Sequence, residues 1–303
     1  MPENESAIWS AVRRGDFRAL ARAISYIENG VGDFHKQLMQ LSTDSSSVVG
    51  ITGPPGAGKS TLVDALIRQL VSEQKKVAVL CVDPSSSFHT GALLGDRVRM
   101  SEWYNNPGVF IRSLSSRGAI GGLHPQIVEI ASLMQAAGFD YVLLETVGVG
   151  QTEVEVAALA DMTMLVLVPE AGDDVQMMKA GVMEIADLFV VNKADRPGAD
   201  AFIRHLVAMQ AYSSRWKDRQ IPAVKTVATK NEGIPQVVQL VHELLKKEEN
   251  REKKCHILAE RAFLLIQQQR MRNVKRTDLY RKIAAELGAK GSVNLFQLVA
   301  EWT

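Results

Sequence analysis

The sequence predicts an α/β protein: a mostly parallel sheet covered by helices on both faces, with helical extensions at both ends. Three observations predict it. Between residues 46 and 247 short β-branched apolar runs alternate with longer amphipathic stretches. Runs of that kind read as strands buried on both faces. A glycine-rich stretch, Gly53 to Ser60, joins the first run to the first amphipathic stretch. Every further candidate motif follows a predicted strand, at the end of the sheet where such folds bind ligands.

The chain has 303 residues, 46% apolar and 23% charged, which excludes disorder over most of its length. Lys plus Arg number 35 and Asp plus Glu 34, for a net charge of +1. Such balance gives no electrostatic case for nucleic acid or an anionic membrane as main partner. The two cysteines, Cys81 and Cys255, are too few for a disulfide framework and fit a reducing, cytoplasmic compartment. No apolar run reaches the ~18–20 residues of a membrane span. The acidic start, Met1 to Ser6, carries no signal-peptide pattern.

Taken in order, residues 1–45 read as a helical extension, with Ile8, Val12, Phe17, Leu20, Ala21 and Ile24 at helical spacing. Ser42 to Ser47 is a loop and a domain boundary. Residues 46–247 follow as the α/β domain. Its predicted strands are 48–52, 77–82, 109–112, 141–146, 162–168, 188–192 and 223–227, and its predicted helices are 60–72, 125–137, 175–186, 199–216 and 234–247. Residues 248–303 open with a charge run and return to helical spacing at Ile257, Leu258, Ala262, Leu265 and Ile266. They read as a C-terminal helical extension.

Gly53-Pro54-Pro55-Gly56-Ala57-Gly58-Lys59-Ser60 matches G-x-x-x-x-G-K-[ST] between a strand and a helix, the context that a P-loop requires. Its amides and the helix N-terminus suit phosphate. Lys59 is placed to reach β- and γ-phosphate oxygens, and Ser60 to ligate Mg²⁺. Asn192-Lys193-Ala194-Asp195 follows a late strand. A carboxylate there accepts from guanine N1–H and N2–H₂. Adenine would leave it unpaired, at a cost of about 1–3 kcal/mol. The motif therefore reads as GTP rather than ATP. Glu145-Thr146-Val147-Gly148 resembles D-x-x-G with Glu for Asp: Glu145 can hold Mg²⁺, and Gly148 lets an amide approach the γ-phosphate. Gln151 lies three residues past Gly148 rather than one, so it is given no water-positioning role.

With these residues, the chain resembles the methylmalonyl-CoA mutase-associated GTPases, a group also named lysine-arginine-ornithine transport system kinases. The resemblance is carried by Gly50 to Thr61, Val82 to Ser86, Leu94 to Arg97, Arg99-Met100, Ser116 to Gly118, Gly121-Gly122, Glu145 to Glu153, Ala171 to Asp174 and Asn192 to Asp195, over residues ~10–245. It implies a P-loop GTPase that binds GTP/GDP and Mg²⁺, is typically a homodimer, and assists an adenosylcobalamin-dependent acyl-CoA mutase in cofactor loading and protection. It adds Thr61 and Ala228 to the nucleotide contacts. It also makes Asp83 and Asp96 candidate Mg²⁺ or catalytic carboxylates; read alone, these are a strand-end cap and a solvated loop residue. Residues 173–181 match a partner-sensing segment of that family, or are a helix start carrying core residues.

Three departures stand out. Ser87 to Gly91 differs from the usual Pro-Phe-Thr-Gly-Gly; Val227-Ala228 replaces Ser-Ala; and residues from ~250 onward do not align with the family's dimerisation arm. Arg117 is a candidate for transition-state charge, and hydrolysis without a partner is expected to be slow. Two alternatives remain: a kinase or ATPase serving amino-acid transport, and a non-catalytic nucleotide-dependent scaffold.

Overall fold

The structure, a computed structural model, describes residues 5–41, 46–83, 100–115, 124–146, 152–169, 182–210, 220–246, 251–271 and 274–302. In chain order its elements are α1 (Glu5–Arg13), α2 (Phe17–Asn29), α3 (Phe34–Leu38), β1 (Ser47–Thr52), α4 (Lys59–Ser72), β2 (Val77–Asp83), β3 (Val109–Ser115), α5 (Ile127–Ala136), β4 (Tyr141–Thr146), α6 (Thr152–Leu159), β5 (Met162–Leu167), β6 (Leu188–Val191), α7 (Ala199–Gln210), β7 (Ala223–Lys225), α8 (Ile234–Lys246), α9 (Arg251–Met271), α10 (Arg276–Lys290) and α11 (Leu295–Ala300). The chain forms two compact units, Met1–Leu258 and Ala259–Thr303.

The strands form one seven-stranded sheet in the order β3-β2-β4-β1-β5-β6-β7. All six pairings are parallel. Alternation along each strand divides the core between two faces. On β5 and β6, Met164, Val166, Leu188 and Val190 join Leu62 and Leu66 of α4 and Val237 and Val241 of α8. Their neighbours Leu165, Leu167, Phe189 and Val191 face Phe202 and Leu206 of α7. Central β1 has β4 on one side and β5 on the other, and the connections leave it in opposite directions. The loop after β1 therefore opens at the switch point where parallel sheets leave a crevice. A Cβ on Gly50 would stand 2.8 Å from Val156 Cγ1, so the missing side chain is what lets α6 lie against β1.

The predicted N-terminal helical stretch is three helices, α1, α2 and α3, and the first break falls at Gly15. Gly15 adopts φ 80°, and the Asp16 side chain then accepts from Arg18 N–H and Ala19 N–H at 2.8 and 3.0 Å, starting α2 afresh. Ala23, Ile24 and Ile27 bury α2, and Phe17 meets Phe110 and Phe139, each at a centroid distance of 5.5 Å. All seven predicted strands are present; β3 runs on to Ser115. Of the predicted helix at 175–186, the described part, Val182–Ile185, is a single 3₁₀ turn. The predicted helix from Ala199 is described to Gln210. Helix α6 was not anticipated: its short run, Thr152 to Leu159, lacks a clear helical period. A 3₁₀ turn, Ser101–Trp103, is pinned to α4 by Trp103 Nε1–H donating to Asp64 at 2.7 Å, with the Arg68 guanidinium 5.3 Å from the indole centroid.

One buried group makes stability depend on pH. Glu129, in the first turn of α5, is 3% exposed, and among the described residues no other residue gives its carboxylate oxygens a hydrogen bond. Burial raises its pKa from 4.5 to about 7. Between those values the folded state holds a proton that the unfolded state has released. Stability therefore falls as pH rises through this window and levels off above it, a cost of about 3 kcal/mol at pH 8. Glu129→Gln is expected to raise the thermal midpoint by about 5 °C at pH 8 and by little at pH 5. An equal change at both values in a pH-resolved melting series would contradict this.

Candidate functional site

The site begins where β1 ends. Gly53 has φ 145°, and a Cβ there would lie 2.1 Å from Val166 O of β5, so glycine is required where the loop leaves the sheet. The loop closes through Ala57 N–H donating to Pro54 O at 3.2 Å, and α4 starts at Lys59 directly after left-handed Gly58 (φ 87°). Pro55 and Gly56 stand exposed, while Ala57 and Lys59 are buried. The Lys59 ammonium donates to Gly53 O at 2.8 Å and Pro54 O at 3.0 Å, so the cation lies inside the curve of the loop. Thr61 follows on the first turn of α4.

β4 brings the second group. Glu145 is 4% exposed and accepts at Oε1 from Ser60 Oγ, 2.7 Å away. Cys81 Sγ lies 3.8 Å from Oε2. Parallel register makes this possible: Cys81 pairs with Glu145, and Glu145 with Ile51, so the three strand ends stand level. Beside them Thr146 Oγ donates to Thr52 Oγ at 3.2 Å, both residues fully buried. Asp83 closes β2, paired with Ser115. The hard oxygens of Ser60 and Glu145, converging on one point at the phosphate loop, are the donor set that a small divalent cation takes. The thiol is the soft exception.

β6 brings the third group. Asn192 is 2% exposed. Its Nδ2–H donates to Ala57 O at 2.9 Å, and its Oδ1 accepts from Ala228 N–H and Thr226 Oγ–H, both at 3.2 Å. Three chain segments thus meet on one amide. Lys193 has φ 56°, unusual for a side-chain-bearing residue, and its ammonium reaches Gly56 O at 2.7 Å. Asp195 is half-exposed, 4.0 Å from Lys230 Nζ. Together Gly58, Thr61, Asn192, Lys193, Asp195, Arg196, Val227, Ala228 and Thr229 line a cavity of about 220 Å³. It adjoins the phosphate loop and presents a carboxylate at one wall.

Gly53 to Thr61, Glu145, Asn192, Lys193, Asp195 and Ala228 are therefore brought together. Asp96, Arg117, Gly148, Gln151 and residues 87–91 and 173–181 lie outside the described residues. Sequence reasoning gave no role to Thr226, which bonds Asn192, to Thr52 and Thr146, which bond each other beside Glu145, or to Arg196 and Thr229, which line the cavity. Placement at the carboxyl end of a predicted strand was the available signal for Thr226 and Thr146. Cys81 is buried in the core, and its sulfur also faces Glu145. Among the described residues no group of three or more His, Cys, Asp or Glu side chains could hold a metal, and no helix is long and apolar enough to cross a membrane.

Residues 20–282 match the profile of the family described as methylmalonyl Co-A mutase-associated GTPase MeaB. A candidate GTPase of Pyrococcus abyssi is 46% identical over 237 residues, covering 77% of this chain and 73% of that one. GTPase ArgK of Escherichia coli is 38% identical over 251 residues, 77% of this chain and 75% of its own. The mitochondrial methylmalonic aciduria type A homolog of Caenorhabditis elegans is 38% identical over 209 residues, 63% of this chain and 52% of its own. Among solved structures, a LAO/AO transport system kinase superposes with a TM-score of 0.67 at 24% identity, over 99% of this chain and 97% of that one. At that identity the likeness shows the fold alone.

Asn192→Ala removes three hydrogen bonds and leaves Ala57 O and Ala228 N–H without that partner. We expect a loss of about 2 kcal/mol, read as a fall of about 5 °C in the thermal midpoint. An unchanged midpoint would contradict the joining role.

Proposed function

Because the chain belongs to the methylmalonyl Co-A mutase-associated GTPase family, we propose that it binds GTP with Mg²⁺ and hydrolyses it to GDP and phosphate as a chaperone of an adenosylcobalamin-dependent acyl-CoA mutase. In this reading it governs cofactor loading and protects the mutase. The observation that carries the nucleotide part is the Asn192 side chain: it fastens a guanine-type carboxylate motif to the phosphate loop across a cavity of about 220 Å³. The mutase part is supported by the family description and by the name of the Caenorhabditis elegans relative.

In the proposed chemistry, Asp195 accepts from guanine N1–H and N2–H₂, and Ala228, whose N–H is held by Asn192 Oδ1, lines the cavity wall beside the base. Loop amides and Lys59 take the β- and γ-phosphates. Ser60 and Glu145 would hold Mg²⁺, which when bound neutralises charge on the phosphate oxygens. Asp83 and Asp96 are proposed as further carboxylates of that end, and Gly148 as a γ-phosphate contact. Water attacks the γ-phosphorus in line with the bridging oxygen to the β-phosphate. That bond breaks, GDP leaves with the electron pair, and the water proton passes to the released phosphate. Lys59 and the amides stabilise the charge that develops.

Turnover without a partner is proposed to be slow. A second copy of the chain is proposed as partner too: Tyr280, Leu295 and Phe296 of the C-terminal unit are exposed, and exposed apolar groups are where association gains most. The transport-kinase reading has no observation in its favour beyond the name of one structural neighbour.

Asp195→Asn replaces an acceptor by a donor. It should weaken GTP binding by about 100-fold while xanthosine triphosphate binds better, read by competition against a fluorescent nucleotide; unchanged GTP affinity would sink the guanine assignment. For the partner, GTP turnover is measured with and without an adenosylcobalamin-dependent acyl-CoA mutase from the same source. Acceleration is expected, and a rate indifferent to the mutase would send the search to another client.

A further inference from the structure

Outside the site, a partly buried carboxylate bridges two distant parts of the chain. Glu28, near the end of α2, pairs at Oε2 with the Arg112 guanidinium of β3. Its other oxygen, Oε1, lies 4.0 Å from His124 Nε2. The Glu28 and Arg112 side chains are 12% and 23% exposed, and the His124 side chain is fully buried. His124 Nδ1 accepts from Gln126 N–H at 3.1 Å. That leaves the ring proton on Nε2, the atom facing Glu28. Arg112 also donates to Ser25 Oγ at 3.4 Å, one turn earlier on α2. Arg112 and His124 bracket the connection from β3 to α5.

Among the described residues β3 is an edge strand, with β2 as its only strand partner. Edge strands open more readily than central ones, because one row of backbone groups has no ladder. Register carries whatever happens at this edge into the site. Arg112 pairs with Leu80, Ser113 with Cys81 and Ser115 with Asp83. Cys81 pairs in turn with Glu145, whose carboxylate holds Ser60. The ion pair is poorly solvated, so it holds its geometry better than a surface pair would.

We propose that Glu28 is a positioning residue for GTP hydrolysis: from the N-terminal helix it fixes the middle of β3 at Arg112, three residues before the strand's carboxyl end, and through the parallel register the strand ends that carry Asp83 and Glu145. It touches no substrate. The proposal rests on the GTPase reading and gives the N-terminal helices a task beyond covering the sheet.

The test uses the full chain with Glu28→Gln, Arg112→Met and the charge-reversed pair Glu28→Arg with Arg112→Glu. Each single change should lower kcat for GTP about fivefold and leave KM and GDP affinity within about twofold. The reversed pair should recover most of the loss. Ala23→Gly, a buried change in α2 away from the pair, serves as the control for lowered stability. Amide hydrogen exchange over Val109–Ser115 should speed in Glu28→Gln and not in the control. The proposal is overturned if Glu28→Gln keeps the wild-type kcat, or if Ala23→Gly loses kcat equally. A wild-type chain without GTP turnover would instead sink the GTPase reading. In that event the exchange result decides: faster exchange in Glu28→Gln supports the positioning role, and unchanged exchange removes it.

Discussion

The Asn192 side chain is the constraint on which the rest of the site depends. A primary amide has two donors and one acceptor oxygen with two lone pairs. Here one donor goes to the phosphate loop at Ala57, and both lone pairs go to the segment after β7, at Thr226 and Ala228. These partners are 135, 34 and 36 residues away. The glycine-rich loop and the segment after β7 are therefore set against each other by the fold itself; in the proposed reading these are the phosphate and base ends, so less ordering is left to be done on binding. Lys193 repeats the tie from the next position, spanning to Gly56.

The opposite end of the crevice is organised by register rather than by a single amide. Parallel strands β1, β2 and β4 end level, and that places Glu145 beside Ser60 while Thr52 and Thr146 satisfy each other beneath. Buried carboxylate, ammonium and hydroxyl groups lie together at the ends of strands whose middles are entirely apolar. The arrangement is expensive in desolvation and persists because each group has a partner. Loop glycines permit it: Gly53 leaves no space for a Cβ against Val166 O.

Much of this was legible in the residues. The strands were readable because both faces are covered, so they appear as apolar runs, and the phosphate loop because its glycines, Lys59 and Ser60 stand at fixed spacing between strand and helix. What stayed hidden depended on tertiary proximity. Nothing local announces that Thr226 would share the Asn192 oxygen, or that Cys81 would face Glu145. The break at Gly15–Asp16 was present as an αL-prone residue followed by a capping side chain, and was masked by apolar spacing that continues across it. Helix α6 was obscured because its burial against β1 depends on the missing side chain of Gly50. Nor does anything local announce the pairing of Glu28 with Arg112, which depends on the fold bringing α2 to β3.

The central claim is that the cavity beside the phosphate loop selects guanine. Calorimetric titration of the full chain with GDP and with ADP, each with Mg²⁺, tests it most directly. Adenine would leave the Asp195 carboxylate without its two donors, so the account predicts GDP to bind at least about 100-fold more tightly than ADP. Equal affinities for the two nucleotides would contradict it.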